Sequence, residues 1–150
     1  SGLELTMASP FSPEARALLE RSRVARLATA DASAEPHVIP FCYALDGDAI
    51  VFVVDEKPKA AGRTLKRLRN IAENPSVAIV VDRWDEDWSR LEYVLVHGEA
   101  AVVTDADAWA RAVARLRERY PQYREMTLAP ERNPVVRIEV RRAHHWRAAR

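Results

Sequence analysis

Cysteine occurs once in this chain of 150 residues, at Cys42, which excludes an internal disulfide and a cysteine-based metal cluster. Glycine is scarce too. The four present are too few for the glycine-rich fingerprint of dinucleotide-binding folds or the phosphate loop of NTPases. Neither a Gly-x-Ser-x-Gly nucleophile elbow nor a His-Glu-x-x-His zinc motif occurs, so no catalytic side chain and no metal ligand set is assigned. Charge of one sign is also lacking: 23 Lys and Arg face 22 Asp and Glu, for a net charge of +1. A bulk nucleic-acid binder shows a stronger imbalance, and none is expected as a partner. Long apolar runs are missing. The longest, Ala49 to Val54 and Val77 to Val81, are far too short to span a bilayer. No charged region followed by an apolar stretch opens the chain, so no secretory signal is read and a cytoplasmic protein is expected. Residues 1–6 read as an added or disordered leader, with Ser1-Gly2 resembling a cleavage remnant and Met7 a native start; residues 1–150 are read as one domain.

Against that neutral background stands one concentrated feature. Six basic side chains, Lys57, Lys59, Arg63, Lys66, Arg67 and Arg69, fall within thirteen residues that contain no acid. The first part, punctuated by Pro58 and Gly62, reads as a loop; the second reads as a helix, with Leu65, Leu68, Ile71 and Ala72 at helical spacing. Basic residues therefore crowd a helix N-terminus, where free N–H groups and the helix dipole already favour an anion. A solvated cationic helix face is the alternative reading of such a run.

Around it the chain reads as strands and caps. Ser12-Pro13-Glu14 opens a short helix with an N-cap and a proline at its first position. Val24–Thr29, Pro36–Tyr43 and Ala49–Val54 read as extended runs joined by turns at Asp31–Ser33 and Asp46–Asp48, and together predict a meander. Pro36 and Pro40 remove ladder donors from the second run, which marks it as an edge, bulged or ligand-facing strand. Asn74-Pro75 stops the basic helix, and strands follow over Val77–Val81 and Leu91–Val103. Thr104-Asp105 caps a helix over Ala106–Arg119, and a final strand runs from Val135 to Val140 toward Trp146. About six strands with helices inserted as lids and connectors favour a mainly β fold, an antiparallel barrel with peripheral helices, over a doubly wound α/β sheet.

The remaining chemistry-bearing residues are ambiguous singly. His37 lies on the proline-flanked strand and reads as a half-buried structural histidine; His144-His145 reads as a surface pair, and Cys42 as an inert buried thiol. Trp84 and Trp88 flank Asp85-Glu86-Asp87, a solvated turn, and pack in a core, at a subunit interface or on a ligand. An anion cradle with aromatic residues and no acid–base triad suits a protein whose cofactor carries the chemistry.

The ordered pattern Val24-Ala-Arg-Leu-Ala-Thr29, Pro36-His-Val-Ile-Pro40-Phe41, Lys66-x-x-x-Asn70-Ile-x-x-Asn74-Pro75-x-Val77, Asp85-Glu-Asp-Trp88-Ser-x-Leu91, Val96-x-Gly98-x-Ala100 and Arg137-Ile to Trp146 resembles the pyridoxamine-phosphate-oxidase-like split-barrel flavoproteins. Within them it resembles the deazaflavin oxidoreductases that use coenzyme F420. The resemblance implies a split β-barrel homodimer that passes a hydride from reduced F420 to an unsaturated or electrophilic small molecule. The cofactor would be held by Lys66, Arg67, Arg63, Thr64 and Asn70 at its phosphate and by Lys57 and Lys59 at its anionic tail. Ile39, Pro40 and Phe41 would flank the ring, with Trp88 on the substrate side. FMN in place of F420, and a flavin-binding protein without a substrate, remain open alternatives.

Overall fold

The computed structural model describes residues 8–55 and 65–149. Helix α1 (Pro13–Arg21) begins where the sequence places it: the Ser12 hydroxyl accepts from the Ala15 N–H at 3.1 Å. Strands β1 (Ala25–Ala30), β2 (Pro36–Phe41), β3 (Ala44–Asp46) and β4 (Ala49–Val53) follow. Then come α2 (Lys66–Glu73), β5 (Ser76–Arg83), a 3₁₀ turn at Trp88–Arg90 and β6 (Glu92–Val102). Helices α3 (Ala106–Arg119) and α4 (Pro121–Arg124) and strand β7 (Val135–Arg147) complete the chain. Asp105 caps α3 by accepting from Ala108 N–H at 2.8 Å.

The strands form one antiparallel, curled sheet in the order β2-β1-β5-β6-β7-β4-β3, a half-barrel with few helices. This corrects two expectations. The first three extended runs are not a meander: β1–β2 and β3–β4 are hairpins at opposite edges of the sheet. The link Cys42-Tyr43 carries the chain from one edge to the other, which is short enough only because the sheet curls. Phe41 at the end of β2 accordingly packs on Phe52 of β4, ring centroids 5.2 Å apart. The last strand also continues past Val140 to Arg147, because a bulge at His97/Gly98 shifts the β6–β7 register and lets pairing resume. The proline-bearing strand β2 is an edge strand, as its missing donors require.

Inside the curl Leu27, Phe41, Ile50, Ile79, Val94 and Val96 bury against Leu18 and Leu19 of α1. On the other side of β3–β4, Val51 and Val53 meet Val113 and Leu116 of α3 and Tyr120 and Tyr123. Arg119 ties these bodies together. Its guanidinium donates to the carbonyls of Glu20 at 2.7 Å and Leu19 at 3.3 Å and to that of Ser22, capping the C-terminus of α1, and lies 4.9 Å from the centre of the Tyr43 ring. At the β3 end, the buried Asp46 receives Arg137 at 2.7 Å, Arg111 at 3.0 Å and Arg115 at 3.7 Å. Burial alone would raise its pKa, but the hydrogen bonds from Arg137 and Arg111 prevail and hold the carboxyl below the usual carboxylate range.

Two outcomes follow. A Cβ at Gly98 would sit 2.5 Å from the Glu139 carbonyl oxygen and 2.9 Å from Ile138 Cγ2. Gly98→Ala should therefore cost about 1–3 kcal/mol in urea denaturation, because the contact is to backbone and cannot swing aside. For Asp46, the depressed pKa means that its stabilising effect is complete above the unfolded-state value, about 4, and lost as pH falls through the lower folded value. The stability gap between the wild type and Asp46→Asn should be full at neutral pH and close below that range; a gap constant down to strong acid would show that Asp46 acts by packing alone.

Candidate functional site

Helix α2 is pinned by one buried polar contact. Asn70, fully buried, donates from Nδ2 to Thr29 Oγ1 at 3.0 Å on β1, and Ile71 enters the core beside it. This orientation turns Lys66 toward the β1–β2 turn, where its Nζ lies 3.5 Å from Asp31 Oδ2. Asp31 is held below its ordinary pKa, first by the backbone N–H of Glu35, then by that of Ser33 and by Lys66. At the helix start Leu65 occupies the cap position and offers no side-chain acceptor, and the first turn carries no acid. The Leu65 carbonyl accepts from the N–H groups of Leu68 at 3.0 Å and Arg69 at 3.1 Å.

Beside this helix opens a cleft of about 240 Å³ lined by Val24, Pro40, Phe41, Cys42, Phe52, Val53, Asp55, Arg67 and Tyr123. It lies where the two sheet edges approach. Val24 precedes β1, Pro40 and Phe41 end β2, Phe52 and Val53 end β4, Arg67 comes from α2 and Tyr123 from α4. Five apolar residues share its walls with one guanidinium, one carboxylate, a thiol and a phenol. Burial, reinforced by the nearby Asp55 and Cys42, pushes the Tyr123 phenol well above its ordinary pKa, with Arg67 opposing. Tyr123 is therefore a neutral hydroxyl throughout the physiological range.

The cleft brings together three of the expected site residues, Pro40, Phe41 and Arg67. Ile39 is separated from Pro40 by the strand's alternation: it packs against the core, whereas Pro40 faces outward. Asn70 is turned inward onto Thr29 and serves to seat the helix. Trp88 does not line the cleft; it is 67% exposed on the β5–β6 connection, edge-on to Trp84 with ring centroids 6.4 Å apart. Lys57, Lys59, Arg63 and Thr64 lie outside the described residues. Cys42 corrects its expectation. The thiol is exposed, because Phe41 and Tyr43 on either side take the inward positions. His145 is half-buried, with Nε2 2.9 Å from Glu92 Oε1, while His144 is exposed, so the two are not an equivalent surface pair. Sequence reading missed Val24, Cys42, Phe52, Val53, Asp55 and Tyr123 as cleft residues, which share no local signal because they come from strand ends and a helix far apart in sequence.

Lys66 and Asn70 predict opposite phenotypes. Lys66→Ala should change stability by less than about 1 kcal/mol, since its ion pair is half-exposed. Asn70→Ala should cost about 1–3 kcal/mol, because it removes a buried hydrogen bond. Denaturant midpoints of the two variants measure this directly.

With that geometry in place, the comparisons are informative. The family model for pyridoxamine 5'-phosphate oxidase matches residues 11–147, and the chain belongs to that family. A conserved hypothetical protein from Mycobacterium tuberculosis shares the fold at TM-score 0.71 and 24% identity, over 94% of this chain and 88% of that one. A heme-binding protein from Mycobacterium smegmatis superposes at TM-score 0.73 and 23% identity, over 90% of this chain but 53% of its own length. An FAD-binding protein from Mesorhizobium loti gives TM-score 0.67 and 21% identity, over 90% and 94%. No curated protein sequence matches the chain.

Proposed function

We propose that this member of the pyridoxamine 5'-phosphate oxidase family is an oxidoreductase that uses reduced coenzyme F420 to reduce an unsaturated or electrophilic small molecule. The observation that carries the reading is the cleft in which Arg67, from the first turn of α2, stands beside an apolar wall of Val24, Pro40, Phe41 and Phe52. A flavin-type cofactor is a flat, largely apolar ring joined to a phosphate, and this donor set suits both parts. At about 240 Å³ the cleft is below the usual range for a whole ligand of drug size, roughly 300–1,000 Å³, so it takes one portion of the cofactor and leaves the rest outside. The six basic residues of 57–69 exceed what a single phosphate needs, which favours F420 and its carboxylate tail over FMN.

When bound, the cofactor supplies the hydride. The chain's own residues would bind and orient it: Lys66 and Arg67, with Arg63 and Thr64, would hold the phosphate, and Lys57 and Lys59 the tail. Pro40 and Phe41 would flank the ring, with Ile39 behind them, and Trp88, outside the cleft of its own chain, would serve the substrate only across the dimer. Asn70 acts indirectly by seating α2. No side chain need change its covalent state, so the protein's contribution is proximity, orientation and exclusion of water.

The working unit in this proposal is a homodimer. The inner face of β2-β1-β5-β6 is covered, but the opposite face carries two register rows, Val38, Ala28, Ala78 and His97 in one and Pro40, Arg26, Val80 and Leu95 in the other, so that apolar residues predominate. Val38 is 64% exposed there. An apolar sheet face of this breadth is what an isologous contact covers.

Titration with F420 and with FMN tests cofactor choice, and F420 should bind tighter. Lys66→Ala should weaken F420 binding by about 1.5–3 kcal/mol, whereas Arg141→Ala, in an exposed pair with Glu99, should change it little. Iodoacetamide should alkylate Cys42 in the native protein, and saturating cofactor should slow that reaction; unchanged alkylation would place the cofactor elsewhere. Val38→Lys should convert a dimer into monomers in sedimentation velocity. A wild type that is monomeric and binds cofactor tightly would remove the dimer from the proposal.

A further inference from the structure

Tyr43, Tyr120 and Tyr123 are the buried tyrosines among the described residues, and two of them spend their hydroxyls inside the protein. The Tyr43 phenol donates to the carbonyl of Leu19, and the Tyr120 phenol donates to that of Arg23 at 2.9 Å while accepting from Arg119 Nε at 3.2 Å. Both fasten the stretch between α1 and β1.

Tyr123 departs from that pattern. Its ring stands edge-on to Tyr120 with centroids 5.7 Å apart, and its backbone carbonyl accepts from Arg117 Nε at 3.0 Å, so its position is fixed from two sides. Yet among the described residues no group pairs with its phenol oxygen. The side chain is only 6% exposed, its oxygen is not sealed in the interior, and it lines the cleft with Pro40, Phe41, Phe52 and Asp55. A hydroxyl so deeply placed is costly unless something in the cleft accepts from it.

We propose that Tyr123 Oη donates a hydrogen bond to a ring carbonyl oxygen of the molecule held in this cleft, and so selects a planar ring that carries a carbonyl. This rests on the reading of the cleft as the seat of a flavin-type cofactor, whose ring bears such carbonyls, and adds the residue that recognises them. Charge decides that the acceptor is neutral. The carboxylate of Asp55 is the leading charge acting on the phenol, with Arg67 opposing it, so an anionic oxygen at this point would be repelled where a carbonyl oxygen is not.

Tyr123→Phe removes the hydroxyl alone and tests the proposal. Its urea midpoint should match the wild type, since no internal hydrogen bond is lost, whereas Tyr120→Phe should lower the midpoint. In fluorescence titrations with F420 and with FMN, whichever binds the wild type should bind Tyr123→Phe roughly three- to tenfold more weakly. Raman spectra of the two complexes should place a ring carbonyl stretch at lower frequency in the wild type, a signature that a packing role would not produce. Equal affinity, an unchanged carbonyl stretch, or a lowered midpoint for Tyr123→Phe would overturn the role of Tyr123 and leave the cofactor reading standing. Binding of neither cofactor to the wild type would remove both.

Discussion

The hydrogen bond from Asn70 to Thr29 is the contact on which the candidate site depends. It is buried, links a helix to a strand 41 residues away in sequence, and fixes how α2 sits on the mouth of the half-barrel. Rotating the helix by a quarter turn would leave Asn70 without its partner and withdraw Ile71 from the core. With the helix held, Lys66 faces Asp31 and Arg67 faces the cleft. A polar residue in the interior thus does what an apolar one could not: it selects one orientation among several that would bury similar area.

Arginine plays more than one role in this nearly neutral chain. Arg119, Arg117 and Arg124 spend their donors on backbone carbonyls at helix ends and in the α3–α4 region. Arg111, Arg115 and Arg137 gather on Asp46. These are structural fastenings, with their charge matched or their hydrogen bonds filled. Arg67 instead lines the cleft between the sheet edges, and Arg83 and Arg90 pair with Asp85 beside the 3₁₀ turn. Counting basic residues does not separate these roles; position in the fold does.

The sheet's own geometry imposes a further constraint. Its outer face along β2-β1-β5-β6 is largely apolar, interrupted by Arg26 and His97, yet its helices cover only the inside of the curl and the β3–β4 end. Strand β2 stands at the edge with two prolines, which interrupt the ladder that another strand could add there. Membership of the pyridoxamine 5'-phosphate oxidase family is consistent with such an incomplete barrel.

What the sequence by itself determined is what short-range chemistry controls. Ser12 and Asp105 cap their helices, the Asp46-Gly47 turn closes a hairpin with Gly47 at φ 62°, Asn74-Pro75 ends α2, and alternation locates the strands. Each rests on neighbours within a few residues. Tertiary structure alone decided the strand order, which carries β3 to the edge opposite β2, and with it the exposure of Cys42 at the crossover. It also assembled the cleft, since Val24, Phe52, Asp55 and Tyr123 carry no shared local pattern and converge only when the sheet curls. Asn70 shows the limit most plainly. Its helical position and polarity read as well for a ligand contact as for an internal fastening, and only the long-range approach of Thr29, which no periodicity encodes, settles that it points inward.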